Sequence, residues 1–185
     1  MLKKLIISGF GGQGVLSIGK NLAEAAMEAG YYVTWTPSYG PEMRGGTANC
    51  SVAISDRPVG APMFGHPTEV IAFNGPSVKK FGPIIVPGGA IFLQSDIISE
   101  PVEFEGVMPF YIPCTAVADE LGNPKVANMV MLGAYVAETG FLDEDVVESM
   151  IHHVFTGNKA GLVPLNVEAF KRGCEIVRNE MHLAR

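Results

Sequence analysis

No cluster of lysine or arginine occurs in this chain of 185 residues, whose 13 basic residues face 19 acidic ones for a net charge of −6. That argues against nucleic acid as a partner, because such binding rests on clustered cations neutralising phosphates. No C-x-x-C pair occurs either. Cys50, Cys114 and Cys174 lie far apart, a spacing that signals neither an iron–sulfur cluster nor a structural zinc. Their odd number, without a signal sequence, fits reduced thiols in a cytoplasm. Lys3-Lys4 before Leu5-Ile6-Ile7 imitates a signal peptide only faintly, since the apolar stretch is short and no small-residue cleavage site follows. No apolar run approaches the roughly 20 residues that span a bilayer, so no membrane partner is expected. H-E-x-x-H and a phosphate-loop lysine are missing, and no Ser-His-Asp set is signalled.

Charged residues are also scarce, at 17%, against 48% hydrophobic residues and a mean hydropathy of +0.25. This length suits one domain, residues 1–185, able to bury roughly 70% of its unfolded surface. The surplus apolar surface is expected to meet other protein.

The chain is organised around its opening stretch. Leu5-Ile6-Ile7-Ser8 reads as a buried strand, and Gly9-Phe10-Gly11-Gly12-Gln13-Gly14 as the turn after it. Val15, Ile18, Leu22 and Ala26 then fall on one helical face, and Gly30 is placed to end that helix. Strand, glycine turn and helix open an α/β fold, with free backbone N–H groups at the helix start. Gly9, Gly11 and Gly14 satisfy G-x-G-x-x-G, so a dinucleotide site is one reading; a tight turn with close helix–strand packing is the other. The second strand, Tyr31–Thr36 stopped by Pro37, ends in no carboxylate for a ribose hydroxyl, and the nearest arginine is Arg44.

From Pro37 to Gly46 the chain is a turn-rich loop with Glu42 and Arg44 embedded among glycines, which suggests recognition; a solvated loop pair is the plainer reading. Thr47–Ser55 alternates as a strand. Val70–Phe73 and Ala90–Leu93 read as further strands, and Asn74-Gly75-Pro76 as a helix start. A strand over Val107–Ile112 contains Pro109, which puts it at an edge or bulge. The last third is helical. Lys125 to about Glu138 is apolar nearly all round, as in a helix buried in its own core or covered by a partner. Asp143, Glu144 and Asp145 open the next helix, and the last runs from about Asn166. His66 and His182 have no spaced partner, adjacent His152 and His153 point to different faces of one helix, and Cys50 reads as a buried thiol.

Gly9–Val15 together with Tyr39-Gly40-Pro41-Glu42-Met43-Arg44-Gly45-Gly46 resembles the gamma subunit of the 2-oxoacid:ferredoxin oxidoreductases. The wording of the second motif looks most like the 2-oxoglutarate and branched-chain 2-oxoisovalerate members. The indolepyruvate enzyme's small subunit shares the glycine loop but usually lacks Pro41-Glu42. The resemblance implies one Rossmann-like three-layer α/β domain with a mixed, mostly parallel sheet. It implies a complex in which thiamine diphosphate with magnesium, iron–sulfur clusters and coenzyme A carry out oxidative decarboxylation, and ferredoxin takes the electrons. This chain would bind none of these cofactors and hold no catalytic residue. It would join alpha, beta and, where a fourth chain exists, delta subunits. The loops of Gly9, Gly11, Gly12, Gln13 and Gly14, and of Tyr39, Gly40, Pro41, Glu42, Arg44, Gly45 and Gly46, would then face the interface or active-site cleft. A free-standing nucleotide-binding protein is the alternative from another class.

Overall fold

The computed structural model describes residues 1–39 and 47–183, with the side chains of 39 and 180–183 left aside. Six strands form one sheet: β1 (Leu2–Phe10), β2 (Tyr32–Tyr39), β3 (Thr47–Ser55), β4 (Glu69–Ala72), β5 (Ala90–Gln94) and β6 (Met108–Ile112). Their spatial order is β2-β3-β1-β4-β5-β6. The pairs β1–β4, β4–β5 and β5–β6 are parallel, whereas β3 runs antiparallel to both neighbours. The expected mixed, mostly parallel α/β sheet is what forms.

Helices cover both faces. α1 (Val15–Glu28), α3 (Cys114–Glu120), α4 (Ala127–Thr139), α5 (Glu144–Val154) and α6 (Val163–Leu183) lie over one, and the short α2 (Gly75–Phe81) with its 3-10 extension Gly82–Ile84 covers the other. Alternation in β1 divides the cores: Leu5 and Ile7 point to the larger, Ile6 to the smaller.

The deepest packing is between α4 and α6. A Cβ on Gly133 would stand 1.9 Å from the Phe170 carbonyl oxygen, and one on Gly173 would stand 2.0 Å from that of Val130. The two backbones touch where side chains normally keep helices 8–10 Å apart. Met129 to Val136 are all buried, which explains the all-round apolar pattern of α4. Of the two expectations for that helix, burial in its own core is the outcome. The surplus of apolar residues expected to meet a partner goes, in this helix, into the chain's own interior.

The other departures have local causes. β2 does not stop before Pro37 but runs to Tyr39, with Pro37 opposite Cys50. It is an edge strand, where a missing N–H can sit on the side that has no neighbour. α3 has no sequence pattern of its own because its first turn is capped from far away, by Asp96 Oδ2 accepting from Thr115 N (2.8 Å) and Ala116 N (3.3 Å). α6 begins at Val163 rather than near Asn166, with Pro164 in its first turn where a proline loses no hydrogen bond. Lys125 belongs to a 3-10 turn, Pro124–Val126, entered through Asn123 Oδ1 accepting from Lys125 N at 3.0 Å.

Candidate functional site at the carboxyl ends of the strands

The parallel strands end along one edge of the sheet, where ligands bind in open α/β folds. β1 there runs into the glycine turn. Gly9 is buried, and a Cβ on it would meet Gln13 Oε1 at 2.6 Å and Phe73 Cβ at 2.8 Å. Gln13 staples the turn: Oε1 accepts from Phe10 N at 2.6 Å, and Nε2 donates to the Phe73 carbonyl at 3.3 Å. Gly14 caps α1 in the left-handed region (φ 76°), which disfavours any residue with a Cβ. No side chain caps this helix start, and Asn128 from the beginning of α4 sits against Gly14. Gly11 and Gly12 stand exposed at the tip.

Beneath the turn lies a buried hydroxyl–amide chain, in which Asn74 Nδ2 has no hydrogen-bond partner among the described residues. Ser77 Oγ donates to Asn74 Oδ1 at 2.7 Å, so the Ser8 hydroxyl, 2.8 Å away, donates to Ser77. Asn74 Oδ1 also accepts from Ser77 N and caps α2. No imidazole or carboxylate reaches either serine among these contacts, so the chain ties β1, β4 and α2 together and does not activate a nucleophile. Farther along the edge, buried Gln94 accepts from Cys114 N at 3.0 Å and donates to Thr115 Oγ1 at 2.6 Å. Between these groups a cleft of ≈ 410 Å³ opens, with Gly12–Gly14 on one wall, Gln94 and Thr115 on another and Lys125 and Asn128 on a third.

The first residue of the second expected motif, Tyr39, lies beside this edge. Phe10, where the glycine turn starts, pairs with Thr47, and Gly9 pairs with Ala48. Tyr39, the last residue of β2, pairs with that same Ala48. The described ends of both motifs are therefore neighbours in space. Gly40, Pro41, Glu42, Arg44, Gly45 and Gly46 lie outside the described residues, so the contacts of Glu42 and Arg44 are not part of this geometry.

The same topology disfavours the dinucleotide reading more strongly than a missing carboxylate. In a dinucleotide fold the second strand lies beside the first and brings its acid to the ribose. Here β3 intervenes between β1 and β2, which moves the end of β2 two strand spacings, roughly 9–10 Å, from the glycine turn.

The other candidates are not gathered into a site among the described residues. The three cysteines are buried; burial pushes the Cys50 and Cys174 thiols up to about 12 and the Cys114 thiol well above its ordinary value. Exposed His153 stands 3.5 Å from Glu28, and His66 Nδ1 lies 3.3 Å from the Ile84 carbonyl. Among the described residues no group of three or more His, Cys, Asp or Glu is gathered as a metal site, and no helix is long and apolar enough to cross a membrane. Gln94, Asp96, Thr115 and Asn128 were not foreseen. The only signal they offered was position, since each ends or closely follows a strand or opens a helix.

Residues 4–176 match the family described as pyruvate ferredoxin/flavodoxin oxidoreductase. The ketoisovalerate oxidoreductase subunit VorA of Methanothermobacter thermautotrophicus is 39% identical over 179 residues, 95% of this chain and 36% of that protein. This chain thus spans about a third of the length of that relative. The 2-oxoglutarate synthase subunit KorC of Methanothermobacter marburgensis is 34% identical over 184 residues, 96% of this chain and 97% of the relative. Among solved structures, the keto/oxoacid ferredoxin oxidoreductase gamma subunit from Geobacter sulfurreducens superposes with a TM-score of 0.80 at 30% identity, over 96% of this chain and 99% of that one.

Proposed function

This chain belongs to the pyruvate ferredoxin/flavodoxin oxidoreductase family, and from that membership we propose that it is the gamma-type subunit of a complex that oxidatively decarboxylates a 2-oxoacid to an acyl-CoA and reduces ferredoxin. The observation that carries this reading is the end-to-end match with subunits of its own length. The adjoining stems of its two motifs, at the edge where α/β folds bind their ligands, support it.

In this reading thiamine diphosphate, magnesium and the iron–sulfur clusters sit on the alpha, beta or delta chains and supply the carbon and electron chemistry. This chain supplies shape. The stapled turn Gly9–Gly14 presents backbone at the cleft mouth, and Glu42 with Arg44 orients its loop against a neighbouring subunit or bound coenzyme A. An arginine offers a five-donor planar fork suited to a carboxylate or phosphate, a geometry lysine does not copy. The substrate is 2-oxoglutarate or a branched-chain 2-oxoisovalerate, since relatives with both names match. The sequence similarity to VorA is somewhat greater, and it covers only a third of that protein.

The test is reconstitution with and without this chain, reading 2-oxoacid- and coenzyme-A-dependent reduction of ferredoxin. Activity that requires this chain is the expected result, with 2-oxoglutarate and 2-oxoisovalerate compared as substrates. Full turnover without it would overturn the proposal. Micromolar binding of NAD(H) or NADP(H) by the isolated chain would favour the free-standing nucleotide protein instead.

A further inference from the structure

A second cleft, of ≈ 590 Å³, lies in the helical layer between α1, the start of α4, the end of α5 and the start of α6. Its charge is opposite to that of the chain as a whole. Lys20, Lys125 and Lys159 line it and no carboxylate or arginine does, although the protein carries −6 overall. Lys20 has an exposed partner, Glu24, at 3.4 Å, a solvent-screened pair of small strength. Lys125 and Lys159 take part in none of the ion pairs among the described residues.

Two buried amides line the same cleft. Asn21 is only 6% exposed, lines the cleft and makes no side-chain hydrogen bond among the described residues. Its amide atoms keep contact with the solvent of the cleft, so they are free to bond a ligand there. Asn166, 5% exposed, donates Nδ2 to the Leu162 carbonyl at 2.8 Å and keeps its Oδ1 for another donor. Met129 and Phe155 supply apolar wall. The volume lies within the ordinary range for small-molecule sites.

We infer that this cleft binds a small organic phosphate carrying more than one negative charge, its phosphates among Lys20, Lys125 and Lys159, with Asn21 Nδ2 donating to a phosphate oxygen. Three separate ammonium groups suit a multivalent, roughly spherical anion; a planar carboxylate would call for an arginine fork, and none lines the cleft. The inference does not rest on the complex-level reading above, since none of Gly9–Gly14 lines this cleft, although Lys125 and Asn128 border both clefts.

The test uses the full chain and pyrophosphate as the probe, with binding followed by calorimetry and located by amide chemical shifts. Saturable binding is expected, centred on Asn21 and Lys125 and weakened by added salt. Lys125→Gln with Lys159→Gln should weaken it at least tenfold, and Asn21→Asp, the same size with the wrong charge, by a similar factor. Circular dichroism identifies any variant that fails to fold, and the two surface lysine changes then decide alone. Absence of binding, an unchanged affinity in the double lysine variant, or succinate binding as tightly as pyrophosphate would overturn the inference.

Discussion

The α4–α6 crossing and the carboxyl rim of the sheet both use glycine, for opposite ends. At the crossing, Gly133 and Gly173 remove side chains so that two backbones come together with nothing between them. At the rim, Gly9 and Gly14 let a polar turn close over Gln13 and Asn128, leaving an open cleft beside it. The first arrangement makes the fold stable; the second exposes backbone N–H groups and amides where a ligand or another chain can reach them. Burial at the crossing is complete, and any added atom must displace backbone. At the rim a change would alter what is presented before it altered whether the chain folds.

That contrast predicts its largest effect at the crossing. Gly173→Val places a branched side chain where a Cβ already meets the Val130 carbonyl at 2.0 Å. A loss of about 3 kcal/mol or more is expected, roughly 6–12 °C in Tm for a chain of this length. Thermal unfolding measures it. A Tm within about 2 °C of the parent would show that the helices can separate, and that the crossing is less rigid than the rim.

Next in size is the change that should leave folding alone. Arg44→Lys in the reconstituted complex should lower acyl-CoA formation about tenfold, which corresponds to about 1.4 kcal/mol. Gel filtration should show the complex still assembled. A wild-type rate would make the loop a solvated turn and confine the functional rim to Gly9–Gly14.

Gln13→Ala tests whether the rim also contributes to stability. It removes the acceptor for Phe10 N and the donor to the Phe73 carbonyl, and should lower stability by about 1–2 kcal/mol. Denaturant unfolding with an unchanged slope checks it. A loss as large as that of Gly173→Val would erase the distinction between the two regions.

The two regions also differed in how far they could be read from the sequence. Helical periodicity located α1 and α5 closely because each has a one-sided apolar stripe, and alternation located β3 to the residue. The all-round pattern of α4 announced burial without saying against what, since the contact is made by glycines in α4 and α6 that carry no hydrophobic signal. The run through Pro37 depended on β2 being an edge strand, a fact of strand order and not of local composition. At the rim the glycine turn was legible from its spacing. Asp96 and Gln94 were not, because each satisfies backbone at Cys114–Ala116, about 20 positions away in sequence.

The smallest effect, nil near neutral pH, concerns the buried thiols. Cys50 lies in β3 beneath α1, where a Cβ on Gly19 would stand 2.4 Å from its sulfur, and burial pushes its thiol up to about 12 from an ordinary value of 9.0. A raised value means that the folded chain holds the proton more tightly than the unfolded chain does. Below pH 9 both forms are protonated and stability is unaffected. As pH rises from 9 towards 12 the unfolded thiol ionises first, which draws the equilibrium towards unfolding. Cys50→Ala should therefore show a shallower fall in stability between pH 9 and 11 than the parent, measured by urea unfolding at each pH. The same protonation leaves iodoacetamide little thiolate to attack at pH 8, so Cys50 in the folded chain should stay unmodified until urea opens it. Rapid native labelling at Cys50 would show that the packing of α1 over β3 opens more readily than the α4–α6 crossing, and would place β3 on the mobile side of the comparison.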